Sequence, residues 1–63
     1  MAYKIKERRE KEKMTQQALA DKAGVSRQII SRLENEEGVI TTTDTLKKIA
    51  SALGCKVGDI FFD

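Results

Sequence analysis

Apolar residues are sparse at the start of the chain and become periodic after it. From Lys4 to Lys13 almost every residue is charged, the helix propensities are good, and only Ile5 is clearly apolar. This predicts a first helix ending near Met14. Thr15 is a good N-cap, and Leu19, Ala20 and Ala23 follow at helical spacing. Gly24 should end that second helix with a positive φ. Val25 is apolar, and Ser26 is a second N-cap candidate. A third helix runs from Arg27 to about Glu34, with Ile30 and Leu33 on one side. Residues 35–42 read as a loop. Thr42 or Thr43 should cap a fourth helix, whose buried stripe is Leu46, Ile49, Ala50 and Leu53 and whose end is Gly54. Val57, Ile60 and Phe61 suit a short fifth helix or turn that closes the core. No segment alternates apolar and polar residues long enough for a strand. The pattern predicts an all-α chain, a single domain over residues 1–63.

Helices two and three lie only a few residues apart, with glycine between them. That is the outline of a helix-turn-helix over about Gln16 to Asn35. On a wheel at ~100° per residue, Arg27, Gln28, Ser31 and Arg32 share one side of helix 3, opposite Ile30 and Leu33. Two guanidiniums, an amide and a hydroxyl match base edges in the major groove. Arg pairs bidentately with guanine and Gln with adenine. Any surface helix displays such groups, so the surroundings carry the argument. Ala20 is small where the two helices must approach, Gly24 sits in the turn, and Leu19, Ala23, Val25, Ile30 and Leu33 are apolar where a shared core is needed.

Charge sharpens this picture. The net charge is only +2, but Met1 to Leu33 carry nine Lys/Arg against four Asp/Glu, and Glu34 to Asp63 carry three Lys against six Asp/Glu. A basic half joined to an acidic half suits a protein with one face turned to a polyanion. Histidine is absent and Cys55 is the only cysteine, which removes intramolecular disulfides and the usual metal ligands. There is no Gly-rich phosphate loop, and no carboxylate pair suggests a cleft. Neither an enzyme nor a cofactor or metal is expected, and Cys55 reads as a small buried hydrophobe. The polar N-terminus and the lack of any long apolar run predict a cytoplasmic protein with no membrane segment.

The stretch TQQALADKAGVSRQIISRLENE resembles, nearly position by position, the helix-turn-helix of the phage repressor and Cro family, the XRE family. The resemblance extends upstream through KERREKEKM and downstream through TLKKIASALGCKVGDIF. It implies a compact five-helix bundle of the lambda-repressor-like type, with helix 3 in the major groove of duplex DNA. It further implies that Arg27, Gln28 and Arg32, with Ser31, read bases, and that Gln16, Ser26 and Asn35 contact phosphate. Ile29 is left to touch a thymine methyl or to pack at the rim of the core. Arg9 and Glu34 look like an ion pair tying helix 1 to the end of helix 3; two solvated surface charges are the alternative.

The resemblance also implies a transcriptional regulator, a repressor, bound as a homodimer to a pseudo-palindromic operator. Val39, Ile40, Ile60 and Phe62 exceed what one small core needs and are candidate dimer contacts, although Phe62 would equally serve its own domain. An antitoxin that binds a protein partner is a second reading. Three departures from the family stand out. Arg8 occupies a usual leucine position, which leaves helix 1 packed less tightly or only the arginine stem buried. The loop EEGVITTTD is slightly long and lacks the common Asn-Gly and Pro. Glu36 and Glu37 would repel phosphate if they faced it.

Overall fold

The computed structural model describes residues 3–35 and 41–60. Within them the chain forms α1 (Ile5–Lys11), α2 (Gln16–Ala23), α3 (Arg27–Asn35), α4 (Thr43–Ala52) and α5 (Val57–Ile60), with no strand among the described residues. α2 packs against both α3 and α4, α1 against α3, and α4 against α5.

Each helix supplies one large side chain to the centre. Ile5, Leu19, Ile30, Ile49 and Ile60 are the largest fully buried residues. Each such side chain contributes roughly 1.5–3 kcal/mol when taken from water. Around them lie Ala20, Ala23, Leu33, Leu46, Ala50, Ala52 and Leu53, with Tyr3, Met14, Val25, Ile29, Cys55 and Val57 packed at the rim. The backbone N–H of Lys4 donates to the Ile60 carbonyl at 2.7 Å, so the residue before α1 is joined to the last residue of α5.

The helix starts follow from their caps. Thr15 Oγ1 accepts from Ala18 N at 3.0 Å, Ser26 Oγ from Ile29 N at 3.2 Å, and Thr42 Oγ1 from Thr45 N at 3.1 Å. Asp59 Oδ2 accepts from Lys56 N at 2.9 Å, reaching back to cap α5. The ends of α1 and α4 share one device. The residue after the C-cap adopts a left-handed conformation, and its N–H and the next one turn back to carbonyls of the last turn. At α4 this residue is Gly54, at φ +71°, with Gly54 N on Ser51 O and Cys55 N on Ala50 O. At α1 it is Lys13, at φ +57°, with Lys13 N on Glu10 O and Met14 N on Arg9 O. α2 ends on Gly24 at φ +74°, where Gly24 N and Val25 N both donate to Ala20 O.

Several expectations need correction. α1 stops at Lys11 rather than near Met14, because the left-handed Lys13 ends it early. Asn35 does not follow α3 but is its last residue. α4 ends at Ala52, with Leu53 as its C-cap and Gly54 one step beyond. Ala52 is buried though it is not on the expected stripe. Ile60 is fully buried in its own core, so it is no dimer contact. Val39, Ile40, Phe61 and Phe62, with Glu36 and Glu37, lie outside the described residues. Arg8 Nη2 stands 4.0 Å from Asp59 Oδ1 with both side chains partly exposed, so the arginine leans on α5 where a leucine would enter the core. Such a pair is worth about 0–1 kcal/mol.

Candidate nucleic-acid interface

The turn between α2 and α3 is Gly24–Ser26. Gly24 has no neighbour within 4 Å of a built Cβ, so the demand for glycine there comes from backbone conformation alone. With Ala20 1% exposed at the contact, α3 lies close across α2, and Ile30 and Leu33 seal the inner face.

The outer face carries Arg27, Gln28 and Arg32, all exposed. Among the described residues, the side chains of Arg27 and Gln28 form no hydrogen bond or ion pair, which leaves their donors available to a ligand. Ser31 is half-buried on the same helix. Its Oγ accepts from Asn35 Nδ2 at 3.3 Å, so these two residues are coupled one turn apart. Ile29 is half-buried and packed against the core. Ser26 is exposed, and its Oγ is spent as an acceptor on the α3 cap, while its hydroxyl proton can still be donated.

Gln16 opens α2, half-buried, and donates from Nε2 to Glu34 Oε1 at 3.1 Å. The same Oε1 accepts from Arg9 Nη2 at 3.1 Å, and Glu34 Oε2 accepts from Arg9 Nε at 2.8 Å. Arg9 Nη1 donates to the Met14 carbonyl at 2.6 Å. The Arg9 side chain is 11% exposed and that of Glu34 1%, so this is a part-buried, two-pronged pair and not two solvated charges. The hydrogen bond to Glu34 raises the Arg9 pKa further above its ordinary value, against the opposing effect of burial. The guanidinium thereby joins α1, the α1–α2 turn, the start of α2 and the end of α3. Sequence reasoning missed the Gln16 and Met14 contributions. The Met14 contact depends on a left-handed Lys13, which no pattern at that position announces.

Two general features frame the site. Among the described residues no helix is long and apolar enough to cross a membrane. No buried side-chain nitrogen or oxygen among them lacks a partner. Comparison with curated proteins gives no match. A helix-turn-helix family model matches residues 5–60, from the first residue of α1 to the last of α5. That span contains the paired helices α2 and α3, and the chain belongs to the Cro/C1-type, XRE helix-turn-helix family of DNA-binding transcription regulators.

Proposed function

We propose that this chain acts as a single cytoplasmic domain, a transcriptional repressor that binds a pseudo-palindromic operator as a homodimer with α3 in the major groove. The observation that carries this reading is the two-sidedness of α3. Ile30 and Leu33 are sealed in the core, while Arg27, Gln28 and Arg32 stand exposed on the other side. In the groove those three read base edges, Arg through guanine O6 and N7 and Gln through adenine N6 and N7. Ser31 contributes from the edge of the same face. Ile29 offers a methyl-sized contact at the rim. Gln16, Ser26 and Asn35 hold phosphates and so fix register without reading sequence.

A family dimer places two recognition helices about one DNA turn, ~34 Å, apart. The longest principal axis of one copy extends 24 Å, which is compatible with that spacing. Val39, Ile40 and Phe62 are the candidate contacts between them. Selection from random duplexes tests the reading. The expected product is an inverted repeat with half-sites about one turn apart, bound with an affinity that falls steeply between ~50 and ~200 mM salt. Failure to enrich any motif, or a flat salt response, refutes it.

A further inference from the structure

Glu34 is an unusual neighbour for a phosphate contact. It is a carboxylate, its side chain is 1% exposed, and its Oε1 holds the amide of Gln16. Left alone, a carboxylate beside a DNA phosphate repels it. Here Arg9 binds both carboxylate oxygens and offsets that charge. A primary amide has two N–H donors. One of Gln16's is spent on Glu34, and among the described residues its side chain makes no other hydrogen bond. The first backbone N–H groups of α2 have no partner within the helix. Thr15 Oγ1 takes only that of Ala18.

We infer that Glu34 is a positioning residue for phosphate recognition, fixing the Gln16 amide before DNA arrives. One N–H is anchored to Glu34 Oε1 and the other is kept for a phosphate oxygen, with Arg9 supplying the countercharge that makes a carboxylate tolerable there. The entropic cost of immobilising a glutamine side chain is met on folding and not on binding. This inference rests on the reading of Gln16 as a phosphate contact. It reaches further by assigning the contact's geometry to a residue at the far end of the recognition helix.

The test crosses Gln16→Ala with a background in which the pair is replaced by apolar groups, Arg9→Met with Glu34→Leu. Affinity is measured on a selected duplex and on an arbitrary duplex of equal length, with folding checked by circular dichroism at the assay temperature. In the native background Gln16→Ala should weaken both duplexes about tenfold, the scale of one hydrogen bond to a charged group. In the apolar background it should weaken them less than twofold. An equal loss in both backgrounds overturns the inference while leaving the phosphate contact intact. No loss in the native background overturns the contact itself and the inference with it. Tighter binding by the apolar background alone means that Glu34 competes with phosphate for the amide, which also overturns it. A measurement on the unaltered protein covers the case of a background that does not fold. On titration with the selected duplex, one of the two Gln16 side-chain amide protons should shift by NMR and the other should hold its position. Movement of both, or of neither, overturns the proposal.

Discussion

The Arg9–Glu34 pair should dominate the response of this small domain to single substitutions. A domain of this size has roughly 3–9 kcal/mol of stability in total. An exposed ion pair contributes about 0–1 kcal/mol, whereas breaking a buried one costs about 3–5 kcal/mol because a charge is stranded away from water. Side-chain exposures of 11% and 1% put this pair in the second class. The two single losses should differ. After Arg9→Met, the Glu34 carboxylate keeps, among the described residues, only the Gln16 amide, at an almost fully enclosed position. After Glu34→Leu, Arg9 keeps the Met14 carbonyl, and its longer stem can carry the charge towards solvent. Arg9→Met should therefore be the worse of the two.

Urea melts of both single variants and the double variant form a thermodynamic cycle. With a slope of ~1 kcal/mol per molar urea, a loss of 3 kcal/mol moves the midpoint by ~3 M, enough to remove much of the folded baseline. An osmolyte such as trimethylamine oxide brings such variants back into range. The double variant should recover much of the loss, because both desolvation penalties disappear together. Single losses below ~1 kcal/mol that simply add in the double variant would refute the reasoning.

Arg27→Ala, Gln28→Ala and Arg32→Ala should each cost ~1–3 kcal/mol of binding and relax preference at one or two base positions, while Gln16→Ala should weaken all sequences alike; binding-site profiles that invert this split reject the assignment. Lys13→Gly should stabilise the fold by a net ~0.5 kcal/mol, read as a higher melting temperature, since a left-handed non-glycine residue costs ~1–2 kcal/mol and glycine returns part of that as chain entropy. Gly24→Ala should cost a net ~0.5–1 kcal/mol for the mirrored reason, and equal melts for these variants and the unaltered protein would discount backbone conformation at both turns. Burial pushes the Cys55 thiol pKa up, against the lowering effect of Arg8. The neutral thiol's contribution is thus fully present below the free-thiol value of ~8.5 and lost as pH rises through the folded value. Cys55→Ala should flatten the alkaline side of the stability profile, and parallel profiles would contradict this.

The parts of the fold that could be read from sequence are those governed by local chemistry. Thr15, Ser26 and Thr42 cap helices because a hydroxyl just before the first helical residue satisfies an orphan N–H, and the sequence signals that directly. Leu19, Ile30 and Ile49 are buried because helical periodicity leaves them on inward faces. The misreadings have tertiary or conformational causes. Lys13 is left-handed although glycine is the residue that signals such a turn, so α1 is shorter than its helix-favouring run. Ile60 read as surplus because nothing local shows that each helix gives one large side chain to the centre. Gln16 read only as an outward contact, since its link to Glu34 spans eighteen positions and depends on how α1 holds the carboxylate.

The division of labour between apolar and charged groups leads to a last expectation. The five central aliphatic side chains hold the helices together, but hydrophobic burial is non-directional and tolerates rotation of a helix about its own axis. A guanidinium gripping both oxygens of a carboxylate is directional. Glu34 sits near the end of α3, so its grip sets the rotation of the helix that presents Arg27, Gln28 and Arg32. In the Arg9→Met, Glu34→Leu double variant, stability and discrimination should come apart. The fold should be largely regained, while the ratio of affinity for the selected duplex to that for an arbitrary one should fall. Loss of the Gln16 contact cannot produce that change, because a phosphate contact scales both affinities equally. A rotation of α3 can, because it displaces several base contacts at once, each worth ~1–3 kcal/mol of discrimination. A double variant with recovered stability and an unchanged affinity ratio would show that the core alone orients the recognition helix.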